Sequence, residues 1–95
     1  MASFFARVEL HSAATYADYE KLHGEMDRRG FKRIIRGSDG KVYNLPTGTY
    51  YKAISPLSSI QEREACRMAA QSTGFNYDLV VMQSADSAWQ LSPVG

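Results

Sequence analysis

The sequence has a single cysteine, three prolines and almost no net charge, and these low counts exclude several classes of protein. Cys66 can form no intrachain disulfide and cannot build a cysteine-based zinc finger alone. Eleven lysines and arginines stand against ten acidic residues, which gives a formal charge of +1. That balance excludes a strongly basic nucleic-acid coat and a strongly acidic mimic, but it leaves room for a local basic patch.

Long hydrophobic runs are also missing. No stretch of about eighteen apolar residues is present, so we expect no membrane-spanning helix and no membrane partner. The first residues lack the apolar segment of a signal peptide, because Glu9 and His11 follow closely behind Phe4 and Phe5. A cytoplasmic location is therefore the expectation.

What the chain does contain is the composition of a small folded domain. Hydrophobic residues make up 44% and charged residues 22% of its 95 positions, close to globular averages. A chain of this length can bury one modest core without cross-links. We therefore predict a single domain over 1–95, with its core at 3–83 and a C-terminal tail at 84–95.

Hydrophobic periodicity predicts the first two elements. Apolar side chains alternate with mixed ones from Phe4 to His11, which is the period of a half-buried strand. Thr15 and Asp18 have the spacing of a capping box, and Gly30 is the expected end of the helix that they begin.

Two further strands and a second helix follow. Strand patterns cover 31–36 and 49–55, and a turn signal at 37–40 lies between them. Ser58 or Ser59 begins the helix, because each is followed three residues later by Gln or Glu. The predicted apolar stripe of this helix consists of Ile60, Ala65, Met68 and Ala69.

The last strand pattern covers 75–83. Its centre at 79–82 is continuously apolar, which is typical of a strand buried on both faces or close to a subunit contact. The element order is then β-α-β-β-α-β, the ferredoxin-like arrangement, with an extra excursion between the middle strands. We predict an α+β fold in which two helices cover one face of an antiparallel sheet and leave the other face open.

The open face of the first strand brings together side chains that suit phosphodiester chemistry. Phe5, Arg7, Glu9 and His11 share this face and lie about 7 Å apart in series. An imidazole moves protons near neutral pH, and a guanidinium stabilises charge that develops on a phosphoryl group. His11, Arg7 and Glu9 are therefore the catalytic candidates. Cross-strand ion pairs of Arg7 and Glu9 are the structural alternative.

The stretch from Arg28 to Arg36 concentrates positive charge. Five of its nine residues are basic and none is acidic, which favours a phosphate-binding track. A basic helix end followed by an edge strand whose charged side chains prevent pairing with another chain would give the same pattern. The candidate phosphate-binding residues are Arg28, Arg29, Lys32, Arg33 and Arg36.

Tyrosine side chains supply candidate stacking surfaces for RNA bases. Tyr43 and Tyr50 are assigned to RNA binding, and Tyr51 lies beside them; filling the rim of a core or a dimer contact is the alternative. His23 is expected on the flank of the first helix. Cys66 is expected to be structural, because no base lies nearby in the sequence.

No metal-ligand motif is present in the sequence. His11, His23 and the scattered carboxylates lack the spacing of a transition-metal site, so neither a metal nor a cofactor is expected. One Mg²⁺ held by Glu9 or Asp39 stays compatible with the residues present.

Four segments carry a resemblance to the GhoS-type family of small bacterial proteins. They are Arg7-Val8-Glu9-Leu10-His11, Gly30-Phe31-Lys32-Arg33-Ile34-Ile35, Gly37-Ser38-Asp39-Gly40 and Tyr43-Asn44-Leu45-Pro46-Thr47. Length and element order match up to about Gln83. The resemblance implies a ferredoxin-like antitoxin of a type V toxin–antitoxin system, an endoribonuclease that cleaves the messenger of a membrane-damaging toxin.

The same fold is similar to that of a small CRISPR-associated nuclease. That relative usually has an Asp at the end of its first strand, often tied to a metal, where this sequence has Glu9, Leu10 and His11. The resemblance therefore implies the activity class and assigns no catalytic residue.

Two functions are expected from different classes. The first is an endoribonuclease-type antitoxin that cleaves single-stranded messenger RNA, with His11 as general acid or base, Glu9 orienting it and Arg7 stabilising the charged phosphorane. The second is a non-catalytic ferredoxin-like module that binds RNA or a protein partner, the latter through Tyr50, Tyr51 and Trp89. A homodimer is expected in either case, and no DNA partner is expected.

Overall fold

A computed structural model of the chain describes residues 2–11, 15–85, 89–91 and 93–94. Parts of the predicted tail, at 86–88, 92 and 95, lie outside the described residues. The elements, in chain order, are β1 (Ala2–Leu10), α1 (Tyr16–Arg28), β2 (Ile34–Arg36), β3 (Val42–Asn44), β4 (Thr49–Ser55), α2 (Ser59–Gln71) and β5 (Tyr77–Ser84). The predicted α+β class is confirmed.

β1 is the central strand of a three-stranded antiparallel sheet with the order β4-β1-β5. β2 and β3 form a separate antiparallel hairpin. The predicted strand at 31–36 is shorter than expected, because Phe31 turns into the core and only Lys32 reaches β4, through an isolated bridge with Tyr51. The excursion between the middle strands is therefore a strand of its own, paired with β2.

Both predicted capping boxes form. The Thr15 hydroxyl accepts the Asp18 N–H, and the Asp18 carboxylate accepts the Thr15 N–H. Ser58 and Gln61 make the same reciprocal pair at α2, which selects Ser58 over its neighbour as the cap. Gly30 has a φ of 86°, the left-handed backbone that follows a helix end, so α1 ends where the sequence predicted.

The hydrophobic core lies between the helices and one face of the sheet. Four alternate side chains of β1, at positions 4, 6, 8 and 10, are no more than 6% exposed. They pack against Leu22, Met26, Phe31, Cys66, Ala69 and Ala70. The predicted alternation of β1 is thus confirmed, and the helices cover the expected face. No helix in the described part of the chain is a candidate membrane span.

The predicted apolar stripe of α2 is wrong in two positions. Ile60 and Met68 are 65% and 55% exposed. The buried face of α2 consists instead of Glu62, Cys66, Ala69 and Ala70. Glu62 can enter the core because the ammonium of Lys52 lies 2.8 Å from its carboxylate, which compensates the buried charge.

The expectation that β5 is buried on both faces is also wrong within this chain. Val80 and Met82 are 52% and 55% exposed, while Leu79 and Val81 are half-buried against the core. Val80 and Met82 pair with Arg7 and Phe5, so they project to the sheet face that the helices leave open. A subunit contact at this strand stays a prediction.

Gly48 is a position at which an added side chain would meet the backbone of a neighbouring strand. Its φ is 85°, its carbonyl accepts the Val8 N–H at 2.8 Å, and a Cβ would lie 2.5 Å from the Val8 carbonyl oxygen. We expect Gly48→Ala to lower the free energy of unfolding by about 2 kcal/mol or more, because left-handed backbone strain adds to a clash with a strand. Urea denaturation measures this difference.

Gly24→Ala is the matched control. Gly24 lies within α1, and a Cβ added there would meet no atom within 4 Å outside the backbone of its own helix. Alanine should therefore leave stability unchanged or raise it by up to about 1 kcal/mol. Equal effects of the two substitutions would contradict the role assigned to Gly48.

Candidate functional site

The register of the sheet brings the catalytic candidates together with residues from both neighbouring strands. Arg7 pairs with Thr49 of β4 and with Val80 of β5, and Glu9 pairs with Asp78. Directly paired residues project to the same face of a sheet. The side chains of all five therefore lie on the open face, opposite the helices.

His11 and Asp78 form a direct side-chain contact on this face. Nε2 of His11 lies 2.9 Å from Oδ2 of Asp78, and the His11 side chain is 39% exposed. The His11 N–H donates to the Asn76 carbonyl at 2.8 Å, which extends the strand pairing just past the end of β1. The imidazole is thus held by a carboxylate at one nitrogen and is accessible to solvent.

Arg7 is held by neutral oxygens. Its Nη1 lies 3.3 Å from the Thr49 hydroxyl and 3.5 Å from the Thr47 carbonyl. Among the described residues, neither Arg7 nor Glu9 takes part in an ion pair. The structural alternative, in which both belong to cross-strand ion pairs, is therefore not observed in the described part of the chain.

A shallow cleft runs over these residues. Its volume is about 150 Å³, and it is lined by Arg7, Glu9, Asp78, Leu79 and Val80. Asp78 is the residue that the sequence interpretation missed. It lies 67 positions from His11, and only the strand register brings the two side chains together.

The same groups have the spacing of a small-ion site. One ligand atom from each of Glu9, His11 and Asp78 lies within 4.8 Å of the other two. Two carboxylates and one imidazole suit Mn²⁺ or Zn²⁺ better than Mg²⁺, which prefers oxygen ligands alone. Asp39, the other carboxylate named as a Mg²⁺ ligand, belongs to the β2–β3 turn and not to this group.

Two aromatic rings lie beside Arg7 on the open face. The ring centroids of Phe5 and Tyr51 are 4.9 Å apart, and the two residues are directly paired across β1 and β4. Both are half-buried and keep an outward surface. They form the aromatic part of the open face.

The assignment of Tyr50 to RNA binding is corrected by its burial. Tyr50 is 0% exposed, and its hydroxyl lies 2.6 Å from Nδ1 of His23 in the core. Successive residues of a strand face opposite sides, so Tyr50 and Tyr51 cannot both reach the open face. Tyr51 is the tyrosine with the required orientation.

Most of the basic segment is paired with carboxylates of α1. Arg28 and Arg29 both contact Glu25, at 3.1 Å and 3.2 Å. The Lys32 ammonium lies 2.6 Å from Asp27. The segment 28–36 itself contains no acidic residue. Its counter-charges come from carboxylates earlier in α1, so the sequence of the segment alone does not reveal these ion pairs.

Arg33 and Arg36 differ in this respect. Arg33 lies 3.8 Å from Glu20, while Nη1 of Arg36 donates to the Gly40 carbonyl at 2.9 Å and makes no ion pair with a described residue. Arg36 therefore keeps more positive charge available than the other basic residues of the segment. It also lines a cleft of about 300 Å³ that extends from Tyr51 over β2.

Tyr43 lies away from the open face. Its hydroxyl donates to Oδ2 of Asp39 at 2.6 Å, and its backbone bridges to Pro93 of the tail. The Cys66 thiol is buried, and burial raises its pKa to about 12, so it stays protonated at neutral pH. Its expected structural role agrees with this environment.

Comparison with known proteins adds no assignment: no family model matches the chain, and no curated protein matches it. The function is therefore argued from the site, and the GhoS-type relationship stays a prediction.

His23 makes the stability of the fold depend on pH. Desolvation lowers the pKa of His23, and the charge of Arg33 lowers it further, so the folded protein holds this imidazole neutral. The unfolded chain takes up the proton first, near the ordinary histidine pKa of about 6.5, and stability falls as the pH drops through that value. We expect the free energy of unfolding to decline more steeply between about pH 7 and pH 5 in the natural protein than in His23→Gln.

Urea denaturation at several pH values measures both slopes. Glutamine can still contact the Tyr50 hydroxyl but does not titrate, so it serves as the matched variant. Parallel declines in the two proteins would contradict the assignment to His23.

Proposed function

We propose that this protein is an endoribonuclease that cleaves single-stranded RNA by acid–base catalysis in the cytoplasm. The observation that carries the proposal is the pair formed by His11 and Asp78, beside Arg7, on a sheet face that the helices leave open. The pair supplies a proton-transfer group, and Arg7 supplies a cation with no carboxylate competing for it among the described residues.

The proposed reaction uses the 2′-hydroxyl of RNA as the nucleophile. With its Nε2–H donated to Asp78, neutral His11 has a lone pair at Nδ1 that accepts the hydroxyl proton. The 2′ oxygen attacks the adjacent phosphorus, and Arg7 stabilises the extra negative charge. The bond to the 5′ oxygen then breaks, and the imidazolium returns the proton to that oxygen. The products are a 2′,3′-cyclic phosphate and a 5′-hydroxyl end.

Asp78 takes the orienting role that the sequence interpretation had given to Glu9. Its carboxylate fixes the ring of His11 and stabilises the imidazolium that forms during the reaction. Glu9 lies within 4.8 Å of both groups and adds negative charge near the ring.

RNA binding is proposed to follow the open face. Phe5 and Tyr51 offer rings for base stacking, and the cleft over β2 leads from Tyr51 to Arg36. The bridge between Lys32 and Tyr51 joins the residues just before β2 to β4. A ferredoxin-like sheet has four strands, and β2 would be the one that the order β4-β1-β5 lacks. We propose this fold for the chain on that basis.

The resemblance to the GhoS-type family supports the same activity and suggests which RNA is the substrate. In that proposal the protein is an antitoxin, and its substrate is the messenger of a membrane-damaging toxin. Expression of the protein beside such a messenger should shorten the lifetime of the messenger, and His11→Ala should not.

Cleavage of labelled single-stranded RNAs by the purified protein tests the catalytic roles. We expect cutting to persist in EDTA, and we expect His11→Ala to reduce the rate by about a hundredfold or more, since positioned acid–base groups contribute about that much. Asp78→Asn should reduce the rate by roughly tenfold, because it keeps the hydrogen bond but removes the charge. A cyclic phosphate end on the product would identify the 2′-hydroxyl as the nucleophile.

Arg7→Ala has a matched control in Arg63→Ala, since Arg63 is an exposed arginine of α2 that is no part of the open face. Only the first should slow cutting. Full activity of His11→Ala would remove the proposed mechanism. Cutting that requires a divalent ion would contradict the metal-free mechanism and would favour Glu9, His11 and Asp78 as the ligands of that ion.

A dimeric binding module is the second candidate, and the exposed side chains of β5 favour it. Val80 and Met82 are apolar, more than half exposed, and lie on the outer strand of the sheet. Val80 pairs with Arg7 and Met82 with Phe5, so such a strip is suited to a subunit contact along the β5 edge of the open face itself. In this candidate the protein holds RNA without cutting it.

Light scattering tests the subunit contact. We expect a mass near twice 10.6 kDa at micromolar concentration and a monomer for Met82→Asp. Thr73→Asp, which adds the same charge outside β5, is the control. A monomeric natural protein at all concentrations would contradict the contact. RNA that is retained without product formation would favour this candidate over the enzyme.

A further inference from the structure

A second cleft is lined by residues distant in sequence from the catalytic candidates of β1. It is formed where the tail segment 89–91 meets the turn at 37–40. The tail is fixed there by backbone contacts to β3: Tyr43 bridges to Pro93, and the Val94 N–H donates to the Val42 carbonyl at 3.0 Å. The cleft has a volume of about 530 Å³, within the range typical of small-ligand sites.

One wall of the cleft carries an ionised carboxylate in a fixed position. Oδ1 of Asp39 accepts the Lys41 N–H at 2.9 Å, and Oδ2 accepts the Tyr43 hydroxyl at 2.6 Å. These hydrogen bonds, that of Tyr43 first, lower the pKa of Asp39. A carboxylate has about four lone-pair positions, so both oxygens can accept one further hydrogen bond each.

The other wall is aromatic. Trp89 lines the cleft with 37% of its surface exposed, and Tyr43 lines it as well. A flat ring system is the ligand that an indole face accommodates best. Arg36 adds positive charge to the same turn, because its guanidinium donates to the Gly40 carbonyl at 2.9 Å.

We propose that this cleft binds a guanine base, stacked on Trp89 and hydrogen-bonded to the Asp39 carboxylate through its N1–H and N2 amino groups. The proposal deepens the proposed function and rests on it, in that the guanine belongs to the RNA that the protein binds. It makes the cleft a base-recognition subsite, separate from the groups that cleave.

Guanine is favoured by the pattern of donors that Asp39 requires. An ionised carboxylate only accepts, and guanine presents two adjacent donors on its Watson–Crick edge. Adenine and cytosine each present one donor beside a ring nitrogen that also accepts, and uracil presents one donor between two carbonyl oxygens. Those lone pairs would face the negative charge of Asp39 and be repelled.

The natural fluorescence of the protein reports this site directly, because Trp89 is the single tryptophan of the chain. We would titrate the protein with GMP, IMP, AMP and UMP, which share one phosphate and differ in the base. GMP should quench the emission and bind about tenfold or more tightly than the others, since a bidentate base contact discriminates by about that factor. IMP lacks the N2 amino group and should lose most of this advantage.

Asp39→Asn tests the carboxylate, and Glu64→Gln removes the same charge from α2 as its control. We expect the first to weaken GMP binding by about tenfold or more and the second to leave it unchanged. Equal quenching by all four nucleotides, or no quenching by GMP, would overturn the guanine site even if RNA cleavage is observed. Selective quenching by GMP without any cleavage would support the site and leave the proposed enzyme without support.

Discussion

The two-sided pairing of β1 is the constraint on which both the core and the candidate site depend. β1 lies between β4 and β5, so its register is fixed along both edges. A shift by one residue would move every side chain to the other face, exposing Phe4 and Val8 and burying Arg7 and Glu9. The register that buries the apolar side chains of β1 therefore also exposes its polar side chains on the open face. The catalytic candidates are exposed because the fold requires their neighbours to be buried.

Local sequence signals predicted most of the fold because local interactions produce those parts. The alternation of β1, the two capping boxes and the helix end at Gly30 each depend on residues a few positions apart. The predictions that were wrong concern side chains whose burial depends on a residue distant in the sequence. Ile60 and Met68 resemble a core stripe, but Lys52 of β4 permits Glu62 to enter the core, and these two apolar side chains of α2 face outward.

The site was predictable in part for the same reason. Arg7, Glu9 and His11 share one face of a strand, and the strand period alone indicates this. Asp78 could not be found without knowing that β5 runs antiparallel to β1 in this register. The strand period also indicates that Tyr50 and Tyr51 face opposite sides of the sheet. Only the register with β1 decides which of the two faces the core.

The basic side chains divide into those that form ion pairs within the fold and those that stay available to a ligand. The carboxylates of α1 are engaged by Arg28, Arg29 and Lys32, so those cations stabilise the helix end and contribute little free charge. Arg7 and Arg36 make no ion pair within the described residues. A nearly neutral domain with two available guanidinium groups gains little from long-range attraction to RNA. In the proposed function, affinity for RNA must then come from contacts with bases, and the aromatic side chains of the open face and of the tail cleft are the groups proposed to make them.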